Sequence, residues 1–171
     1  MTDSPIGRVT RIGEHELSLR PLDPADASAL LRIHATPEVA RWWGEPEEGF
    51  PLSDEPDHTR LTILVDGAVA GLLQYWEEPW PRYRHATIDV FLDPALHGRG
   101  IGTQALGLLV EHLTSERGHH RVTIDPASEN AAAIRSYEKA GFRQVGLLHR
   151  YEHRGDGDYR DAILMELVRE P

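Results

Sequence analysis

Three alternate glycines lie in the segment Leu96–Thr103, at positions 98, 100 and 102. The residues before them, Ala86–Leu92, alternate apolar and polar side chains as a strand does, and the residues after them repeat apolar side chains with helical spacing. Because glycine has no Cβ atom, backbone N–H groups at such a helix start can approach an anion, and the helix N-terminus adds about half a positive charge. The loop can therefore hold a pyrophosphate, although a tight turn that binds nothing has the same pattern.

Two common nucleotide-binding loops do not match this spacing. A P-loop needs a Lys and then a Ser or Thr after its last glycine, and no Lys follows here. A dinucleotide-binding loop has the spacing G-x-G-x-x-G near the start of its domain, whereas this chain has G-x-G-x-G about midway along its length. The pyrophosphate of another cofactor remains as the ligand.

A second motif follows the short predicted strand Arg121–Ile124. The segment Asp125–Phe142 predicts a loop and then a helix, with Gly141 suited to the left-handed residue that ends a helix. Asn130 and Tyr137 lie on one face of that helix, about 10 Å apart along its axis. These two polar residues can flank a ligand; alternatively, the tyrosine belongs to the core.

Together the two motifs resemble the GNAT superfamily of acetyl-CoA-dependent N-acyltransferases, whose motifs are [QR]-x-x-G-x-[GA] and N-x-x-A-x-x-x-Y-x-x-x-G-F. The sequence has His97-x-x-Gly100-x-Gly102 and then Asn130-x-x-Ala133-x-x-x-Tyr137-x-x-x-Gly141-Phe142. The second motif is complete, whereas the first departs at His97, where the family has Gln or Arg. The resemblance extends over about residues 60–168.

The resemblance implies acetyl-CoA as the cosubstrate and suggests where it binds. The backbone of Arg99–Thr103 would hold the pyrophosphate, Val90–Leu92 would pair with the pantetheine arm, and Tyr137 would face the sulfur. The residues expected to contact the cofactor are Val90, Phe91, Leu92, His97, Gly98, Arg99, Gly100, Ile101, Gly102, Thr103, Asn130, Ala133 and Tyr137.

A narrower resemblance lies nearer the N-terminus. The element Trp42-Trp43-Gly44, taken with the second motif, is similar to the aminoglycoside 6-prime N-acetyltransferases, in which a Trp-Trp-Gly element borders the sugar pocket. Other small-amine acyltransferases can carry a similar element. The resemblance favours an aminoglycoside acceptor, and it leaves open a siderophore precursor, a polyamine, a protein N-terminus or a non-catalytic acyl-CoA-binding domain.

N-acetylation needs a group that takes a proton from the acceptor ammonium and a group that protonates the leaving thiolate. Asp89 points away from Ile88 and Val90 on the strand before the glycines, so its carboxylate can take that proton directly or through water; a structural salt bridge is the alternative. The aminoglycoside enzymes have an Asp with this role at a comparable strand position. The same resemblance implies that Tyr137 protonates the leaving thiolate. The chain has no cysteine, which excludes a cysteinyl acyl-enzyme and favours direct transfer.

Several other residues are candidates for the acceptor pocket. The tryptophans can stack on a sugar or lie over a cation, although one of them is expected in the core. Asp125 offers a second carboxylate or caps a helix, and the region of residues 75–80 either borders the pocket or is an exposed acidic loop. The residues expected to bind the acceptor are Trp42, Trp43, Tyr75, Glu77, Asp89 and Asp125.

Composition limits the partners. The 28 acidic and 18 basic residues give a formal net charge of −10, which disfavours nucleic acid and anionic membranes and agrees with a small cationic amine; solubility alone also produces such a charge. The histidine pair 149/153 has i, i+4 spacing, and histidines 119 and 120 are adjacent. We expect no metal, because the strand predicted over residues 143–151 removes the helical geometry of the first pair and no H-E-x-x-H motif is present. No long apolar run or signal peptide is evident, so we expect one cytoplasmic domain over residues 1–171, as a monomer or homodimer.

The remaining pattern predicts the elements that position these residues. Residues 1–15 are expected to be irregular, residues 16–20 form a first strand, and Asp23 or Asp26 caps a helix that runs to about Thr36. A short helix from Pro37 to Trp42, a loop over residues 44–57 and a hairpin around Asp66-Gly67 follow. Two last strands flank a turn at residues 155–157. The predicted class is α/β, a GNAT-like mixed central sheet with helices on both faces in the order β-α-α-β-β-β-α-β-α-β-β.

Overall fold

The computed structural model describes residues 6–155 and 157–170, and within them a single mixed sheet of eight strands forms the centre of the molecule. The strand order is β1-β2-β3-β4-β5-β6-β8-β7, with β5 and β6 parallel and the other neighbours antiparallel. The strands are β1 Ile6–Ile12, β2 His15–Pro21, β3 His58–Val65, β4 Ala68–Glu77, β5 Ala86–Leu92, β6 Arg121–Ile124, β7 Arg143–His153 and β8 Tyr159–Val168.

Helices cover both faces of this sheet, as the sequence predicts. The helix α3 packs against the face that carries Leu61, Leu73 and Ile88, and the pair α1–α2 packs against the face that carries Leu72 and Phe91. The helices are α1 Ala27–His34, α2 Pro37–Trp43, α3 Ile101–Glu111 and α4 Ala131–Lys139. None of the helices in the described part of the chain is long and apolar enough to cross a membrane.

The register of β4 against β5 decides which side chains share a face. Leu72 is the partner of Phe91, and Gln74 is the partner of Asp89, so all four residues point toward α1–α2. Gly71 allows the two strands to approach closely, because a Cβ atom there would collide with the carbonyl oxygen of Phe91. Asp89 therefore lies on the face opposite α3.

The structure differs from the predicted order at the N-terminus. Residues 6–12 were expected to be irregular, but they form β1, which pairs with β2 at the edge of the sheet. The observed order is thus β-β-α-α-β-β-β-α-β-α-β-β. The predicted final turn at residues 155–157 includes Asp156, which lies outside the described residues.

The predicted cap of the first helix also needs correction. Asp23 caps a short 3-10 turn, Pro24–Asp26, and its side chain accepts a hydrogen bond from the backbone N–H of Ala25. The side chain of Asp26 is buried and accepts two hydrogen bonds from Arg20, both of 2.8 Å, so it acts as a buried ion-pair partner. The helix α1 then begins at Ala27 without a side-chain cap.

Candidate active site

The strands β5 and β6 diverge, and this divergence forms the site. In the described residues they pair only at Ala86–Val122 and Thr87–Thr123, where the two threonine hydroxyls are 2.8 Å apart. Asp89 and Asp125 each follow two residues later, so both lie on the face of these threonines. Beyond the threonine pair, the edge of β5 is open toward β6. An extended ligand can therefore pair with β5, and the two carboxylates lie on one side of it.

Both carboxyl groups are easier to protonate than an ordinary aspartic acid. Burial raises the pKa of Asp89 to about 6, the charges of Asp125 and Glu152 add to the rise, and a hydrogen bond of 3.3 Å from Gln74 Nε2 opposes it. Burial also raises the pKa of Asp125, which accepts a hydrogen bond of 3.0 Å from Tyr151 Oη. A carboxylate with a pKa near 6 is ionised at neutral pH and is basic enough to accept a proton.

Tyr137 approaches the same place from α4. Its side chain is buried, and its burial, with the charges of Asp89 and Asp125, raises its pKa above the ordinary value. Within the described part of the chain, its hydroxyl has no hydrogen-bond partner. The hydroxyl is therefore protonated at neutral pH and available to a ligand, as a proton donor must be.

The glycine loop ends at an uncapped helix start. Gly100 has a φ of 77° and precedes α3, and no side chain caps the first turn of that helix. Its first N–H groups lack intrahelical acceptors, and the positions where Gly98, Gly100 and Gly102 would carry a Cβ atom have no atoms within 4 Å. The loop over residues 97–100 is exposed. This geometry fits a phosphate that is held by backbone N–H groups.

Other predicted cofactor contacts have structural partners of their own. His97 Nε2 lies 3.0 Å from the carbonyl oxygen of Leu92, and this contact fixes the loop to the end of β5. Asn130 Oδ1 accepts a hydrogen bond of 3.2 Å from the N–H of Ala133 and so caps α4. Thr103 Oγ1 lies 3.1 Å from the Ser136 hydroxyl, so the start of α3 contacts α4. The two sequence motifs are therefore adjacent in space.

The two tryptophans have different surroundings. The Trp43 ring packs edge-on to Phe91 at 5.0 Å and belongs to the apolar layer under α1–α2. The Trp42 ring has the guanidinium of Arg41 4.6 Å and that of Arg160 5.8 Å from its centre. Trp43 is thus the core residue of the pair, and arginines already cover Trp42.

Arg160 links this element to the carboxylates. It donates hydrogen bonds to the backbone oxygens of Arg41 and Trp42 at the end of α2, and to both carboxylate oxygens of Glu152. Glu152 contributes to the raised pKa values of Asp89 and Asp125. The C-terminal end of α2 and the hairpin β7–β8 therefore border one acidic site.

The comparison with known proteins decides the family. Residues 26–142, more than half of the chain, match the Acetyltransferase (GNAT) family. The chain belongs to the GNAT family. It is an acetyl-CoA-dependent N-acetyltransferase of amines, and its mixed α/β sheet is the GNAT fold.

Its relatives act on different amines. The spermidine N(1)-acetyltransferase of Escherichia coli K12 is 30% identical over 161 residues, which cover 88% of this chain and 85% of the relative. The L-amino acid N-acetyltransferase AaaT of the same organism is 28% identical over 166 residues, with coverage of 90% and 99%. The crystal structure of aminoglycoside acetyltransferase AAC(6')-Ib with coenzyme A and kanamycin superposes with a TM-score of 0.73 at 25% identity, covering 90% of this chain and 95% of that chain.

Two predicted acceptor residues of this GNAT chain lie elsewhere. Tyr75 is the register partner of Ile88, so it points into the core on the α3 side and faces His112, with ring centres 6.5 Å apart. Glu77 accepts hydrogen bonds from Arg117 and contacts His119 Nε2 at 2.6 Å. The hydrogen bond from Arg117 holds the pKa of Glu77 below its usual range. Alternation along β4 puts both side chains on the face opposite Asp89, which corrects the prediction for these two residues.

The histidines that the sequence pairs have different surroundings. His119 is buried and contacts Glu77, whereas His149 is exposed and lies 3.4 Å from Asp161. Among residues 6–155 and 157–170, no three His, Cys, Asp or Glu side chains are grouped as metal ligands would be.

Four residues of the site are absent from the sequence-based prediction. Gln74, Tyr151, Glu152 and Arg160 contact the predicted site residues or each other. Gln74 had a signal, because it is one polar residue within the apolar run Ala70–Tyr75. The other three depend on the register of β7 against β8, which shifts between Leu148 and Glu152 and which the sequence does not specify.

Proposed function

We propose that this N-acetyltransferase acetylates a primary amine of a small polycation by direct attack, without an acyl-enzyme. The observation that carries the proposal is the group of three acidic residues, Asp89, Asp125 and Glu152, at the divergence of β5 and β6. One carboxylate is sufficient to take a proton from the reacting amine. Asp125 can hold a further ammonium group of the same molecule, whereas the carboxylate of Glu152 is paired with Arg160 and borders the site.

The same group argues against acceptors that carry a carboxylate beside their amine. A free amino acid would bring a negative charge toward carboxylates that already repel one another. Amino-sugars and linear polyamines carry several ammonium groups and no carboxylate, so among the predicted acceptors they fit this group of acidic residues best.

An aminoglycoside is our first candidate within this class. It is supported by the Trp42-Trp43-Gly44 element beside the acidic site and by the likeness to an aminoglycoside acetyltransferase that was solved with kanamycin. A linear polyamine is the second candidate. It is supported by the spermidine relative and by the two guanidinium groups near the Trp42 ring, which compete with a sugar for that surface.

In this proposal, the open edge of β5 at Val90–Leu92 pairs with the pantetheine arm, and the backbone N–H groups at the start of α3 hold the pyrophosphate. Acetyl-CoA supplies the acetyl group as a thioester. Asp89 holds the acceptor ammonium and takes one proton from its nitrogen, directly or through water. Backbone N–H groups near Val90 polarise the acetyl carbonyl while the C–N bond forms and the C–S bond breaks. Tyr137 Oη gives its proton to the departing sulfur and recovers one from solvent, and the remaining excess proton on the attacking nitrogen passes to solvent.

Thiol release from acetyl-CoA in the presence of an acceptor panel tests the proposal. The panel contains kanamycin, spermidine, butylamine and leucine. We expect kcat/KM for a polycation to exceed that for butylamine by about tenfold, since the extra ammonium groups near the acidic site each contribute up to about 1 kcal/mol. Faster acetylation of leucine would overturn it.

The variant Asp125→Asn provides an internal check. It should raise KM for the polycation and leave KM for butylamine nearly unchanged, because a monoamine uses only the carboxylate at the reacting nitrogen. The ranking of kanamycin against spermidine then decides between the two candidates.

A further inference from the structure

Three polar side chains form one row across the middle of the sheet. Arg60 of β3 is the register partner of Gln74 of β4, and Gln74 is the register partner of Asp89 of β5. The next row on the same face toward α1 consists of Thr62, Leu72 and Phe91. The row thus places polar side chains continuously from β3 to the carboxylate of Asp89.

Hydrogen bonds connect the three side chains in one direction. Arg60 Nε donates to Gln74 Oε1 at 3.2 Å, and Gln74 Nε2 donates to Asp89 Oδ2 at 3.3 Å. A guanidinium group can only donate, so the amide oxygen of Gln74 has to face Arg60 and its nitrogen has to face Asp89. Gln74 is only 8% exposed, which leaves its amide few other partners. Arg60 thus fixes the orientation of the amide.

Arg60 itself is held firmly. Its Nη1 atom donates to the backbone oxygens of Pro51 and Ser53 at 2.8 and 3.0 Å, and its Nη2 atom donates to Glu55 at 2.5 Å. The guanidinium also lies 5.2 Å from the centre of the Phe50 ring. The segment after α2 therefore anchors the first member of the row.

We propose that Gln74 is a positioning residue for Asp89, with Arg60 setting the direction of its amide. The inference rests on the proposed function, in which Asp89 takes the proton of the acceptor amine. The Gln74 amide donates to Oδ2 of Asp89. Within the described residues, no other side chain forms a hydrogen bond with this carboxyl group. Oδ1 is left for the acceptor nitrogen.

Gln74 also opposes the charges around Asp89. Burial and then the carboxylates of Asp125 and Glu152 raise the pKa of Asp89, while the hydrogen bond from Gln74 lowers it. Tyr137 and Tyr151 face the same site as neutral phenols, and Arg160 pairs with Glu152. The Gln74 amide therefore keeps Asp89 ionised at neutral pH by stabilising its charged form.

The variant Gln74→Met tests this role, because methionine has a similar length and neither donates nor accepts in the same way. The measurement is the titration of the Asp89 carboxyl carbon by 13C NMR in the protein without acceptor, with the signal assigned by its loss in Asp89→Asn. We expect the midpoint to rise by about one pH unit, the size of a typical hydrogen bond to a charged group. The acidic limb of the pH–rate profile should move by the same amount, which lowers kcat/KM at pH 6 by about fivefold.

Three further variants make the test specific. Gln74→Asn, whose shorter amide withdraws from Asp89, should move the midpoint in the same direction and provides the readout if the methionine variant does not fold. Arg60→Met should produce a smaller shift and add little to Gln74→Met, because both changes act through one hydrogen bond. Thr87→Val removes the buried hydroxyl pair with Thr123 without touching the row, and it should leave the midpoint unchanged.

An unchanged Asp89 midpoint in both folded Gln74 variants would overturn the inference. The NMR titration needs no acceptor, so it is readable even if the wild-type protein acetylates no member of the amine panel. A wild-type protein that acetylates no member of the panel would instead overturn the proposed function.

Discussion

At the scale of single residues, the state of the Asp89 proton controls the reaction we propose. Burial raises the pKa of this group to about 6, so the fraction of Asp89 that can accept a proton falls as the pH drops through that value. The acceptor amine must lose a proton before it attacks, but its own pKa of about 9 keeps it protonated at neutral pH. The base is therefore required most between these two values.

We expect Asp89→Asn to lower turnover at pH 7 by at least about a hundredfold, the lower end of what a positioned acid–base group contributes. The loss should become smaller above pH 9, where the amine is already neutral, and the limb near pH 6 should disappear. The measurement is a pH–rate profile of both proteins with one polycationic acceptor. Parallel profiles would assign the base role to another group, with Asp125 next in position.

Tyr137 has the complementary role of proton donor. We expect Tyr137→Phe to leave the affinity for CoA nearly unchanged, as measured by calorimetry, and to lower kcat by about a hundredfold, because the hydroxyl is needed when the thiolate leaves. Tyr75→Phe is the matched control, since Tyr75 is also buried but lies on the α3 side of the sheet. Equal kcat values for wild type and Tyr137→Phe would make Tyr137 a structural residue.

The sequence indicates some site residues and conceals others for a definite reason. Alternation along β5 predicts that Asp89 points away from Ile88, and this is observed because alternation is a local property. The contact from Gln74 needs the register between β4 and β5, and the contact from Arg60 needs the register between β3 and β4. Alternation within one strand sets neither register. The misplacement of Tyr75 and Glu77 has the same origin.

At the scale of elements, the glycine loop between β5 and α3 is the feature that the sequence predicts most clearly. The backbone there needs φ values that only glycine adopts easily, and it is followed by a long apolar helix, so both features are visible locally. The strand β1 is less visible, because it pairs on one side only and contains Arg8 and Arg11 between its apolar residues. An edge strand needs less apolar surface than a central strand, and its pattern is weaker.

Saturation with CoA should raise the melting temperature by about 5–10 °C at a hundred times its dissociation constant, since a ligand bound only to the folded state stabilises it. We expect Gly100→Val to abolish this rise, because a Cβ atom would occupy the space that the phosphate needs. Gly13→Val is the matched control: Gly13 also has a positive φ and open surroundings, but it lies in the turn between β1 and β2. Both variants lose stability from backbone strain, and only the control should keep the CoA-dependent rise.

At the scale of the whole molecule, charge separates the two substrates. The formal net charge of −10 attracts a polycationic acceptor and repels the anionic CoA, and the carboxylates at the divergence of β5 and β6 concentrate the attraction there. Added salt screens both effects, since the Debye length falls from about 30 Å at 0.01 M to about 8 Å at 0.15 M. The dependence of each KM on salt therefore reports the sign of the charge that the site presents to that substrate.

We expect KM for a polycationic acceptor to rise severalfold over that range of salt, because several ammonium groups lose their attraction to the acidic site. KM for butylamine should rise less, as it carries one charge, and KM for acetyl-CoA should stay constant or fall. Steady-state kinetics with each substrate varied in turn measures all three. Equal salt dependence for butylamine and the polycation would mean that only one ammonium group meets the acidic residues, and the acceptor would then have to be sought among monoamines.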